Sequence, residues 1–155
     1  DHLRVEVDYV SLNQPDREGR IIVPHTLVWT GLRWHVRGWC EKNQDYRDFV
    51  LSRFRGEPEV LDESDHTSAS DEDWHTLVTI EIAPDPRLTA DQQAVVAHDY
   101  GMTDGKWQLS VRAKLLPYLL QLLRLDPTQV MEDARAQQIV ILNQADIEAW
   151  LFPSG

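Results

Sequence analysis

Arg33, His35, Arg37, Arg53 and Arg55 place cationic or protonatable groups within one short stretch, residues 30–55, TGLRWHVRGWCEKNQDYRDFVLSRFR. Both arms of that stretch read as strands. Alternation along the first arm sets Arg33, His35, Arg37 and Trp39 on one face, opposite Trp34, Val36, Gly38 and Cys40. Along the second, Leu51, Arg53 and Arg55 share a face opposite Val50, Ser52 and Phe54. A guanidinium fork suits phosphate or carboxylate, because its fixed donors match their oxygens. A serine hydroxyl, Ser52, and an imidazole, His35, complete a pocket for a nucleotide or an oligonucleotide backbone, and an aromatic ring can stack a base. The competing reading is a solvated face, salt-bridged to Glu41, Asp45 and Asp48.

Other chemistries find less support. His2, His25, His35, His66, His75 and His98 are scattered without helical i, i+4 pairing, and no HExxH occurs, so no metal site is expected. Ser52 and His35 could join an aspartate in a triad, but there is no GxSxG elbow. Neither GxxxxGK[ST] nor GxGxxG occurs. No catalysis and no cofactor are expected. Cys40 is the single cysteine, which excludes a disulfide framework and a thiolate zinc site and leaves a buried free thiol.

The elements that must hold the basic face follow from periodicity. Residues 3–11 alternate, with Leu3, Val5, Val7 and Tyr9 on one side of a half-buried strand. A turn over 13–19 precedes a second strand, Ile21 to Trp29, which Pro24 bends or confines to an edge. Thr30-Gly31 turns into strand three, about 32–40; strand four runs about 46–54; Gly56 and Pro58 break it before a short fifth strand at 59–61. Consecutive short strands without a helix suggest a small barrel. The acidic run DESDHTSASDED, residues 62–73, has too little apolar surface to order itself and reads as a linker or mobile loop. This gives a ligand-sensing barrel over 1–61, a linker over 62–73 and an α+β domain over 74–155.

In that last domain Val78, Ile80 and Ile82 mark a strand, and Thr89 with Gln92 matches a capping box for a helix over 90–100. Trp107, Leu109 and Val111 mark another strand. A leucine-rich helix follows at 115–125, apolar around most of its circumference, which suggests burial on several sides or self-association. A strand over 138–142 and a short helix capped by Asn143 and running through Trp150 complete the domain.

The totals bound the class. With 155 residues, 42% hydrophobic and 26% charged, the chain fits one or two small domains. No run of 18 apolar residues offers a membrane span, and no leader pattern points to export, so a cytoplasmic setting is the default. The first residue is Asp1 rather than Met, which fits a fragment or a processed piece. A net charge of −11 argues against the whole chain binding duplex DNA, although the residues before the acidic run are locally basic.

The stretch RIIVPHTLVWTGLRWHVRGWCEKNQDYRDFVLSR resembles the WYL domain of bacterial transcriptional regulators, with Trp34-His35-Val36 at the name-giving Trp-Tyr-Leu. It is most similar to the subgroup associated with anti-phage defence operons, whose triplet commonly reads Trp-His-Val. IAPDPRLTADQQ, HDYGM, residues 112–126 and QQIVILN resemble the C-terminal extension domain of the same regulators. The resemblance implies an Sm-like or SH3-like β-barrel binding a nucleotide or single-stranded nucleic-acid effector, then an α/β domain that makes a homodimer. Operator DNA would be bound by an N-terminal winged helix-turn-helix that this sequence lacks. By this resemblance His35 takes the family's tyrosine position, Arg37 and Arg53 its basic positions, Ser52 its polar neighbour, and His25 follows the strand-two proline. Histidine in place of tyrosine implies a ligand preference that depends on pH near neutrality. The expected function is the effector-sensing, dimerising part of a regulator, usually a repressor, of a phage-defence operon. The alternative is a WYL-type nucleic-acid-binding accessory module of a DNA- or RNA-processing enzyme.

Overall fold

A computed structural model describes residues 2–151, so the outer bounds expected at Asp1 and Gly155 lie outside the described residues. The chain divides into two compact units, Asp1–Glu72 and Asp73–Gly155.

The first unit is a five-stranded antiparallel sheet. Its strands are β1 (Leu3–Tyr9), β2 (Glu18–Trp29), β3 (Trp34–Cys40), β4 (Asp45–Val50) and β5 (Phe54–Glu63), in the order β4-β3-β2-β1-β5. The alternating apolar positions do what period two requires: Val7, Tyr9, Ile22, Val36, Cys40 and Phe49 form one buried cluster, flanked by Val5 and Phe54. Tyr9 meets Phe49 and Phe54 edge-on, with centroids 5.3 and 5.2 Å away, and its hydroxyl accepts the Val50 N–H at 3.0 Å. That bond satisfies a backbone donor where β4 ends.

Pro24 lies in β2, an interior strand rather than an edge. It is accommodated because the β2–β3 register shifts between Pro24 and Thr26, and a bulge is where a strand tolerates a missing donor. Opposite it stands Gly38, where a Cβ would fall 2.5 Å from the Val23 carbonyl oxygen and 2.8 Å from the Pro24 Cα. The two backbones approach too closely there for any side chain.

The sequence expectations for the rest of this unit need correction at three points. Among the described residues the sheet keeps β4 and β5 as separate edges, and no strand pairing closes a barrel. Strand four stops at Val50, and residues Leu51–Arg53 make a 3-10 turn, so Ser52 and Arg53 are not on a strand. Gly56 and Pro58 do not break the chain: they sit inside the ten-residue β5, in the bulge between the Asp8–Arg55 and Glu6–Glu59 pairs. Gly56 supplies φ 68° there, and Pro58 is tolerable because β5 is an edge.

The acidic run also differs from a structureless linker. Its first two residues extend β5, Ser68–Ser70 form a 3-10 turn closed by a reciprocal Thr67–Ser70 capping box, and Asp71 is buried. Composition foretold little apolar burial, and there is little; partners on the sheet supply the order instead.

The second unit is α+β. The short helix α1 (Glu72–His75) spans its boundary. A three-stranded antiparallel sheet, ordered β7-β6-β8, is built from β6 (Leu77–Pro84), β7 (Trp107–Arg112) and β8 (Ile139–Ile141). Helices α2 (Ala90–Asp99), α3 (Leu116–Leu122), α4 (Ala134–Gln137) and α5 (Gln144–Ile147) complete it. Ile80, Ile82, Val96, Leu116, Leu120, Ile139 and Ile147 form its buried cluster, with Val78, Trp107, Leu109 and Val111 packed alongside. Both halves of the Thr89–Gln92 capping box are formed. The leucine helix is shorter than expected, a 3-10 turn over Ala113–Leu115 followed by α3, and Leu122 is 59% exposed. Asn143 does not cap the last helix with its side chain. Its Oδ1 accepts the Glu81 N–H and its Nδ2 donates to the Thr79 carbonyl, which extends the β6 ladder instead. That helix ends at Ile147, and a 3-10 turn continues through Trp150. No helix among the described residues is long and apolar enough to cross a membrane.

Candidate functional site

The β2 bulge and strand β3 build the site. The register passes from Pro24–Gly38 directly to Thr26–Arg37, so His25 is the extra residue of the bulge. Bulges re-aim side chains, and this one turns His25 toward Arg37. His35 and Arg37, two apart on β3, share the face opposite Val36 and Cys40 as the alternation requires. They are only 4% and 2% exposed, not a solvated basic surface.

The cover over Arg37 is the protein's own acidic segment. Arg37 donates from Nε to Asp71 Oδ2 at 2.7 Å and from Nη2 to Asp71 Oδ1 at 2.9 Å, a bidentate fork. His25 Nε2 lies 2.9 Å from the same Oδ2, and its Nδ1 lies 2.7 Å from Thr26 Oγ1. An ionised carboxylate only accepts, so Nε2 carries the proton in that contact. Asp48, paired with Arg37 across β3–β4, approaches Nη1 at 3.4 Å. Neighbouring residues tie the segment down further. His66 stacks on Trp39 with centroids 3.8 Å apart, and Tyr46 Oη donates to the Thr67 carbonyl at 2.8 Å.

Burial pushes the His35 imidazole below the ordinary histidine pKa; Asp48 opposes this, while Arg33 and Arg53 reinforce it. His35 is therefore neutral at neutral pH, with the charges of Arg33 and Arg53 close enough to be felt. Arg53 is half-buried in the 3-10 turn. Ser52 is exposed there, and its carbonyl accepts from Arg55 Nη1 at 2.7 Å.

Of the five residues expected at the site, the structure brings His25 and Arg37 onto one carboxylate. It sets His35 beside Arg37 on the same face of β3 and leaves Ser52 and Arg53 on the adjoining turn. The expected ion pairing of this face is partly present, through Asp48, but Glu41 pairs with Arg4 and Asp45 with Arg47. Sequence reasoning missed Asp71. The signal available was physical: a buried arginine needs a compensating carboxylate, and the adjacent acidic run was the richest source of one. A groove of about 800 Å3 in the second unit, lined by Pro117, Leu120, Arg124, Asp126, Glu148 and Leu151 among others, holds none of these residues. The described residues contain no group of three His, Cys, Asp or Glu placed to hold a metal ion.

Residues 1–57 match the WYL domain family. Residues 77–147 match the BrxR transcriptional regulator, C-terminal dimerization domain. Among curated proteins, the DNA-binding transcriptional repressor CapW of Stenotrophomonas maltophilia is 34% identical over 97% of this chain and 50% of its own. The repressor of the same name from Escherichia coli (strain KTE188) is 37% identical over 95% and 49%, and that from Pseudomonas aeruginosa 36% over 93% and 48%. The chain thus spans about half the length of the curated relatives it matches, and those relatives are described as DNA-binding transcriptional repressors. Among solved structures, proteasome accessory factor B/C (PafBC) of Arthrobacter aurescens is similar over 96% of this chain and 24% of its own, at 18% identity and a TM-score of 0.38.

Proposed function

The chain joins a WYL domain to a BrxR-type C-terminal dimerization domain, and belongs with the regulators so built; on that premise we propose that it is the effector-sensing and dimerising part of a bacterial transcriptional repressor of a phage-defence operon. The observation that carries the sensing half is the buried arginine fork. Holding a guanidinium at 2% exposure is unfavourable without an anion beside it. A site that already satisfies this demand with a carboxylate is chemically suited to a phosphate of a nucleotide or a single-stranded nucleic acid. His25 shares the Asp71 carboxylate with Arg37, His35 lies two residues away on the same face of β3, and Arg53 and Ser52 on the adjoining turn are assigned to the same ligand-binding set as part of this proposal.

The dimerising half rests on the match of residues 77–147. Two copies joined there carry two sensing sheets and, in the full-length protein, two operator-binding domains. An effector that binds one dimer arrangement better than the other shifts the population toward it, and operator affinity changes by the same coupling.

The test is a fluorescence-anisotropy titration of short labelled single-stranded DNA and RNA, with unlabelled cyclic and linear nucleotides as competitors, at two salt concentrations. Salt-sensitive binding that falls in Arg37→Ala and in Arg53→Ala is the expected result. Absence of binding by folded wild type and by Asp71→Asn alike sinks the sensing role. Light scattering on the same sample reads the dimer directly.

A further inference from the structure

Within the run 62–73 Asp71 is the only buried residue, and its burial is electrostatic. Around it the segment offers small polar side chains, and its other anchors include a ring stack at His66, hydrogen bonds at Thr67 and Ser70, the Ser64 N–H on the His2 carbonyl and an Asp62–Arg4 ion pair. No apolar side chain of this run plugs into the sheet. A segment held by charge and hydrogen bonds belongs to the low-stability end of a fold, where local opening is easiest. What holds it can also be replaced by a solute, because an anion can offer the fork the same two oxygens. An apolar plug has no such competitor.

We propose that Asp71 is a built-in competitor for the Arg37 seat: its carboxylate marks the position of an incoming phosphate-class oxyanion, and binding of that oxyanion releases the 64–71 segment from the sheet. The inference rests on the sensing role argued above and adds its regulation. Two oxygens of a phosphate diester or monoester accept from Nε and Nη2 as the carboxylate does, and His25 Nε2 supplies the third donor. The seat is open only in the fraction of molecules where Asp71 has left it, so apparent affinity is reduced by that fraction. The segment is thereby both a brake on weak anions and the part that moves when a strong one binds.

The experiment compares wild type with Asp71→Asn, which keeps the shape but not the charge. The probes are inorganic phosphate, a nucleoside monophosphate and a labelled single-stranded oligonucleotide; the last two separate a terminal monoester from a backbone diester. For an opening populated at a few per cent, Asp71→Asn binds about ten- to a hundredfold tighter, and the gain vanishes in Arg37→Ala/Asp71→Asn. A structural tether alone gives the opposite sign, since loosening it weakens the site. Should Asp71→Asn fail to fold, hydrogen exchange on wild type decides: amides of 64–71 exchange faster when the oligonucleotide saturates the protein. Wild type that binds while Asp71→Asn binds no tighter, or while those amides keep or gain protection, overturns this inference alone. Failure of both proteins to bind any of the three probes overturns the sensing role and this inference with it.

Discussion

Arg37 and Asp71, 34 positions apart, are joined by two parallel hydrogen bonds of 2.7 and 2.9 Å, with both side chains at most 3% exposed. An arginine on the middle of a sheet and an aspartate at the end of an acidic run thus make one buried unit. Breaking such a pair from one side strands the other charge. Arg37→Ala strands the Asp71 carboxylate unless its segment swings out to solvate it, so the loss of stability of the first unit is capped at about 2 kcal/mol, the cost of an opening populated at a few per cent. Replacing both, as Arg37→Met/Asp71→Leu, recovers most of that loss, because no charge then needs solvation. Urea unfolding followed by tryptophan fluorescence and fitted with two transitions measures both; a double variant as unstable as the single would refute the assignment.

Gly38 faces the Pro24 bulge with no room for a Cβ. The atoms it would meet belong to the Val23 and Pro24 backbone, which cannot rotate aside as a side-chain tip would. Gly38→Ala forces the two strands apart at a cost of roughly 1–3 kcal/mol. Because His25 is the bulged residue, the same change turns its ring away from Asp71. The checks are the unfolding midpoint and the His25 imidazole resonances, which shift together if the bulge is what aims the ring.

Much of this arrangement was legible beforehand, and the reasons differ by element. Leu3, Val5, Val7 and Tyr9 alternate because one face of β1 meets a core, so the strand was readable from period alone. Thr89 and Gln92 announced α2 because reciprocal capping is local chemistry. His35 and Arg37 were correctly set on one face by alternation. Alternation failed at Leu51–Arg53, where a single 3-10 turn broke the count. It also could not say that the basic face would be covered. That depended on Asp71, whose contact with Arg37 is long-range, and the composition of its neighbours argued for solvent. Asn143 shows the same limit, since a good capping residue found better partners on a neighbouring strand.

His35 gives the first unit a pH dependence of known sign. Burial and the nearby Arg33 and Arg53 charges hold its pKa below the ordinary value of 6.5, so as pH falls the unfolded chain takes up the proton first. The stability tied to neutral His35 is whole above 6.5 and is lost as pH falls through that value toward the folded-state pKa. His35→Gln, neutral throughout, flattens the decline of the unfolding midpoint on the acid side of 6.5 relative to wild type. Parallel profiles for the two proteins would show that His35 titrates alike in both states.

Arg53 should act differently from Arg37, and the contrast separates recognition from architecture. Arg37 is buried and tied to Asp71; Arg53 is half-buried on a turn, where a guanidinium can reach a ligand without dismantling an ion pair. Arg53→Ala leaves the unfolding midpoint within about 0.5 kcal/mol of wild type, as surface changes usually do. It nonetheless weakens oligonucleotide binding severalfold at low salt. If it neutralises one phosphate, its loss reduces the slope of log affinity against log salt by about 0.7, the value for one contact on a single strand. An unchanged slope with weaker binding would mean that Arg53 contacts the base or sugar, or shapes the turn, rather than neutralising the backbone.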